Sequence, residues 1–185
     1  MSLSELYDFG WYWGDLEWKW AERLLLMCPD GYYLVRDSRS ESHLFSVSYK
    51  FEGKVLHTRI SFERSQFHLG RQQPFLFNDY QRLGQLIQDS VEITRNGHHE
   101  MLVHRRGGEA EASRLKFTNP LMRRDLLPSL QYLCRFAIRT RLAANQLDTL
   151  PQMPPAVLKY VKDPKWIIPD LEACEQVLEQ RNRNL

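Results

Sequence analysis

Between residues 32 and 61 three strand-length runs follow one another with short spacers: YYLVR at 32–36, HLFSVSY at 43–49 and KVLHTRIS at 54–61. Spacers this short leave no room for a crossover helix, so the strands pair antiparallel. In the second run Phe45, Val47 and Tyr49 point one way. In the third, Leu56, Thr58 and Ile60 share one face and Val55, His57, Arg59 and Ser61 the other. Glu52-Gly53 is a hairpin signal between them. QFHL at 66–69 reads as a short fourth strand.

Helical patterns flank these runs. Leu16, Trp20, Leu24 and Leu25 fall on one stripe, which predicts a helix over 16–27 ending at the Pro29-Asp30-Gly31 turn. A second helix is expected over 79–90 with Leu83, Leu86, Ile87 and Ser90 inward. The fold class is therefore α+β, a central antiparallel sheet flanked by two helices. Residues 1–10 read as a helical lead-in, with Leu3, Leu6 and Tyr7 at helical spacing. Residues 91–114 form a long polar loop with a brief strand at Met101-Leu102-Val103, and Leu115-Lys116-Phe117 is expected to close the sheet. Asn119-Pro120 marks a boundary. Beyond 126 the pattern is helical, interrupted by a Pro-rich stretch at 151–155, with a last helix expected over 170–181.

Composition excludes several classes. A net charge of +2 from 25 basic and 23 acidic residues is too balanced for a general nucleic-acid binder. Cys28, Cys134 and Cys174 lie far apart, without metal spacing, as in a reduced, cytoplasmic setting. The first residues lack the pattern of a secretory signal, and no run of about 18 apolar residues predicts membrane insertion.

Arg36 is the anomaly, because a buried guanidinium is costly unless paired and hydrogen-bonded. Two readings are open. The residue pairs with an acid such as Asp37 or Glu22, or it receives an anion from outside. The second gains from its surroundings: Ser38, Arg39 and Ser40 follow it, and His57 and Arg59 share one strand face. Arginine's planar fork holds two phosphate oxygens at once. A deep floor favours phosphotyrosine, with its charge of about −1.5 to −2, over phosphoserine.

WYWG (11–14), AERLLL (21–26), YLVRDS (33–38), FSVS (45–48) and LHTRI (56–60) resemble a Src-homology-2 (SH2) domain over about residues 11–117. The resemblance implies that Arg36 is the phosphate ligand, assisted by Ser38, Arg39 and Ser40, and that His57 and Arg59 flank the phosphotyrosine ring. It also implies that Thr58, Leu69 and the loops around 69–77 and 91–114 border the pocket for residues after the phosphotyrosine. Trp18 stands where many such domains carry an arginine, which removes a charge and offers an aromatic rim.

In SLQYLCRFAIR (129–139), Leu130, Cys134 and Ile138 share a helix face, with Leu133 beside them. The stretch resembles the elongin-C-binding box of a SOCS box, in which these residues enter a partner's groove. LPQMPPAVLKYV (150–161) resembles its cullin-contacting part, which implies contacts from Leu150, Pro151, Met153 and Pro154, with one residue more than the usual spacing. An SH2 domain at 11–117 and a small α-helical SOCS box at 118–162, followed by a tail at 163–185, is similar to the suppressor of cytokine signalling family. The resemblance implies three partners: a tyrosine-phosphorylated receptor, kinase or adaptor; elongin B/C; and a cullin, cullin-5, with its RING subunit. The implied role is substrate receptor of a ubiquitin ligase; the alternative is a phosphotyrosine adaptor that only competes for docking sites.

No catalytic constellation stands out. GxSxG, HExxH and a phosphate-binding Gly loop are all missing. His98, His99 and His104 lack a partner cluster for a metal, so neither cofactor nor metal is expected.

Overall fold

The three runs become the middle of a five-stranded sheet. β1 (Tyr32–Ser40), β2 (His43–Phe51), β3 (Lys54–Glu63) and β4 (Gln66–Leu69) pair antiparallel in sequence order. The computed structural model describes residues 3–40, 43–69, 80–95, 103–104, 110–111, 118–126, 128–149 and 153–184. The strands run two to four residues longer than the apolar signal because their ends are polar and half-exposed. Glu52 (φ 49°) and Gly53 (φ 73°) make the β2–β3 hairpin, both in the left-handed region that a two-residue type I′ turn requires. Arg64 (φ 51°) and Ser65 (φ 65°) do the same between β3 and β4 without a glycine.

A separate two-stranded ladder joins β5 (Val103–His104) and β6 (Ala110–Glu111). The fifth strand of the main sheet is β7 (Asn119–Pro120), parallel to Tyr32 and Tyr33. The pair expected to mark a boundary is thus part of the sheet, while 115–117 lie outside the described residues. The rest of β1's outer edge is covered by residues 11–14. Val35 N–H donates to Trp11 O (2.9 Å), Trp13 N–H to Val35 O (2.8 Å) and Asp37 N–H to Gly14 O (2.8 Å). Few backbone groups of this edge are left for solvent or another chain.

Before the sheet come α1 (Leu3–Asp8) and α2 (Trp18–Leu26), and after it α3 (Leu83–Arg95). α2 buries Ala21, Leu24 and Leu25, and Lys50 Nζ caps its end through the carbonyls of Leu26 (2.8 Å) and Cys28 (2.7 Å). The expected inner stripe of the second helix, Leu83, Leu86, Ile87 and Ser90, is buried. That helix starts four residues later and ends five later than expected, because Val91 and Thr94 continue the stripe. Among the described residues no helix is long and apolar enough to cross a membrane.

The C-terminal part holds α4 (Leu130–Arg141), α5 (Pro155–Lys162) and α6 (Leu171–Arg183). Ser129 caps α4 by accepting from Tyr132 N–H (3.2 Å), and Asp170 caps α6 by accepting from Glu172 and Ala173 N–H (3.1 Å each). The stretch read as a tail is built into the core: Trp166, Ile167, Ile168, Cys174 and Leu178 belong to one apolar cluster with the sheet. α6 lies on α2, where Arg23 Nε donates to Glu175 Oε1 at 3.0 Å and Asn182 donates to Met27 O at 2.8 Å. Gly14 (φ 60°) sits so close that a Cβ there would lie 2.5 Å from Ile167 Cγ2.

Arg123, only 4% exposed, joins the parts. Its guanidinium donates to Tyr7 O (2.8 Å), Phe9 O (3.2 Å), Tyr132 Oη (3.1 Å) and Ile167 O (3.4 Å), and lies over the Phe136 ring at 4.9 Å. No carboxylate is among these partners; carbonyl dipoles and ring faces carry the charge.

Candidate functional site

The register decides what can meet on the sheet. Arg36, Ser46 and Arg59 stand directly opposite one another, as do Leu34, Ser48 and His57 one step along. Opposed residues share a face, so Arg36, Ser46, Ser48, His57 and Arg59 form one polar patch on an otherwise apolar sheet. Val35, Val47 and Thr58 form a row on the other face.

Arg36 is 7% exposed. Its Nε donates to Ser48 Oγ at 3.1 Å and one terminal nitrogen donates to the Asp37 carbonyl at 3.1 Å. The pairing with the Asp37 carboxylate does not form, because that side chain points to the opposite face and accepts from Tyr12 Oη at 2.5 Å. Glu22 is not a partner of Arg36 either. Burial, and then the Arg39 charge, press the Arg36 guanidinium below its ordinary pKa, with Asp37 opposing them. A dianion arriving at Arg36 offsets both effects at once.

Ser48 is the hub. Its Oγ accepts from Arg36 and lies 2.8 Å from His57 Nδ1. It thus ties the Arg36 guanidinium on one strand to the His57 imidazole two strands away. Across His57 stands Trp18, edge to face at 6.3 Å between ring centroids. α2 therefore overhangs the face that carries Arg36. Ser48 was not among the expected site residues. Two serines at 46 and 48, on one face of an apolar strand, were the signal, but only the register brings them to Arg36.

The loop after Arg36 is irregular, with a register shift between Asp37 and Ser40. Ser38 Oγ accepts from Ser40 N–H at 3.3 Å. Arg39 is exposed and turned to Asp15 (3.3 Å) and Glu17 (3.2 Å). Arg59 is exposed at the end of the patch. Thr58 and Leu69 are buried, Leu69 opposite Ile60, and most of the loops expected to border a peptide, including 70–79, lie outside the described residues.

The second candidate site is the outer face of α4. Tyr132 and Arg135 turn inward, while Leu130 is 76% and Leu133 47% exposed, with Cys134 exposed between them and Ile138 half-buried. Such a row is costly to leave in water and suits a partner's groove. Met153 is half-buried and Pro154 exposed ahead of α5, whose Val157 is exposed; Leu150 and Pro151 lie outside the described residues. Burial pushes the thiols of Cys28 and Cys174 up to about 11 and about 12, which depletes their reactive thiolates. At pH 8 a thiol reagent is expected to modify Cys134 alone in the folded chain, and all three cysteines after denaturation. Equal labelling of Cys28 without denaturant would contradict this packing.

The sequence matches the SH2 domain family over residues 11–89 and the SOCS box family over residues 127–162. The fold and the polar patch thus belong to an SH2 domain, joined in one chain to a SOCS box. The human suppressor of cytokine signaling 6 is 35% identical over 162 residues, covering 88% of this chain and 30% of that protein. The cytokine-inducible SH2-containing protein of Gallus gallus is 31% identical over 175 residues, covering 87% of this chain and 68% of that protein. The chain belongs to the suppressor of cytokine signalling family. It spans about three tenths of the length of the suppressor of cytokine signaling 6 proteins it matches. A solution NMR structure of the SH2 domain of a Monosiga brevicollis CRK/CRKL homologue is 31% identical, covers 62% of this chain and 88% of that one, and has a TM-score of 0.43.

Proposed function

We propose that this chain is the non-catalytic substrate receptor of a cullin-RING ubiquitin ligase. The pocket over Arg36 captures a tyrosine-phosphorylated receptor, kinase or adaptor in the cytoplasm. The α4 face docks elongin B/C, and the segment leading into α5 contacts cullin-5 with its RING subunit. The outcome is suppression of cytokine or receptor tyrosine kinase signalling. The observation that carries the reading is Arg36: a buried guanidinium with no carboxylate partner among the described residues, set in a polar patch, on the same chain as an exposed apolar helix face. Ser38 and Ser40 close the phosphate loop, Arg39 reaches the phosphate by leaving Asp15 and Glu17, and His57 and Arg59 flank the ring. Thr58 and Leu69 shape the pocket for following residues.

The chain makes and breaks no bond in this scheme. It holds lysines of the captured protein beside a charged ubiquitin carrier, which turns a bimolecular encounter into an effectively intramolecular one. Leu130→Asp tests the division of labour, because Leu130 is 76% exposed and a polar replacement there leaves the core untouched. The variant is expected to lose elongin B/C in co-purification and target ubiquitination in a reconstituted ligase, with phosphopeptide affinity held within about twofold. Failure of the unaltered chain to bind elongin B/C would leave the competing-adaptor role instead.

A further inference from the structure

Arg39 has its anions before any ligand arrives. It follows Arg36 by three residues, where the β1–β2 register shifts between Asp37 and Ser40. Its Nε donates to Asp15 Oδ1 at 3.3 Å and a terminal nitrogen donates to Glu17 Oε1 at 3.2 Å. The two acids stand on backbone that is held in place. Leu16, between them, is 1% exposed. Just ahead, Gly14 O accepts from Leu16 N–H and Asp37 N–H, both at 2.8 Å, and Ile167 packs against Gly14. Glu17 O accepts the first helical N–H groups of α2, from Trp20 (3.0 Å) and Ala21 (3.1 Å). Glu17 is the N-cap residue of that helix, yet its side chain caps nothing and is given to Arg39 instead.

Two carboxylate oxygens on a guanidinium of the phosphate loop do what a phosphate does. We propose that Asp15 and Glu17 are an internal counter-ion for Arg39, which phosphotyrosine must displace, and that this pair thereby sets the affinity of the pocket. The inference rests on the function proposed above and adds what the move of Arg39 to the phosphate costs. Arg39 gives up two ion pairs and gains one dianion, so the exchange is close to balanced. Arg39, Asp15 and Glu17 are each about half exposed, where a single ion pair contributes little, so the ligand opens the contact without help from another partner. The carboxylates also act on Arg36. The Arg39 charge disfavours the Arg36 guanidinium, and Asp15 and Glu17 offset that charge while the pocket is empty. Once Arg39 turns to the ligand, the dianion offsets both arginines.

The test titrates phenyl phosphate into the full chain by calorimetry at about 0.15 M salt, where repulsion between separated exposed charges is largely screened. Asp15→Asn with Glu17→Gln is expected to raise affinity about fivefold. Asp15→Glu with Glu17→Asp, which keeps both charges, is expected to stay within about twofold of the unaltered chain. In a chain that also carries Arg39→Gln, the neutralising pair is expected to change affinity by less than about twofold, because the cation it would release is gone. An equal gain with and without Arg39 would mean that the carboxylates act by repulsion alone, and would overturn the counter-ion role. No gain from the neutralising pair in a chain that binds phenyl phosphate would overturn it too. Absence of phenyl phosphate binding in every variant, or binding indifferent to Arg36→Lys, would overturn the phosphotyrosine reading itself and this inference with it.

Discussion

Arg36→Lys is expected to reduce phosphotyrosine-peptide affinity by at least a hundredfold while leaving the chain folded. The charge is conserved, so geometry is what is removed. Arg36 uses Nε to hold Ser48 and a terminal nitrogen to hold the Asp37 carbonyl, and so presents the rest of its fork in a fixed orientation. A lysine ammonium is a single point that cannot hold Ser48 and grip two phosphate oxygens together. Hydrogen bonds to charged groups contribute roughly 1.5–3 kcal/mol each. Losing two of them amounts to about 3–6 kcal/mol, against about 1.4 kcal/mol per tenfold in affinity. Releasing Ser48 also frees His57, so ring recognition weakens with phosphate recognition. Calorimetry with one phosphotyrosine peptide is the measurement, and circular dichroism confirms the fold. Retained affinity would show that the phosphate does not bind at Arg36.

Arg123→Met carries the largest expected effect on stability, a loss of about 3 kcal/mol, comparable to breaking a buried charged network. Methionine fills much of the volume and keeps contact with Phe136, so the loss is chiefly electrostatic. The carbonyls of Tyr7 and Phe9 lose a buried charged donor, and Tyr132 loses its link to the N-terminal segment. For a chain of this size that corresponds to a melting temperature lower by roughly 6–12 °C. Tyr132 still donates to Ile167 O at 2.6 Å, so the C-terminal helices keep one tie to each other. Differential scanning calorimetry measures the shift. A change under about 2 °C would mean that water replaces the guanidinium at little cost, and that Arg123 does not hold the parts together.

The polar patch could be foreseen because strand alternation is a local rule. His57 and Arg59 had to share a face, and an arginine inside YYLVR had to be explained. The hairpin at Glu52-Gly53 is likewise local chemistry, and it formed as expected. What could not be foreseen depends on which distant segments meet. Ser48 reads as filler until the register sets it between Arg36 and His57. Asn119-Pro120 reads as a breaker, yet one short parallel pairing on the free edge of β1 needs little strand propensity. Arg123 and Arg124 are indistinguishable in sequence, and only the arrival of Tyr7, Phe9 and Ile167 around the first makes it a buried ligand of carbonyls. Arg64-Ser65 turns without the usual glycine because the β3–β4 ladder on either side holds it.

The docking of Ile167 over Gly14 sets an order of events during synthesis. At roughly 5–20 residues per second, residue 167 follows residue 14 by roughly 8–30 seconds, long after the strands that carry Arg36, Ser48 and His57 have been made. Until then the apolar side chains that Trp166, Ile167 and Leu178 cover in the folded chain lack that cover. The four antiparallel strands are therefore made early, and the apolar face that α6 covers is shielded from aggregation and proteolysis only once that helix docks.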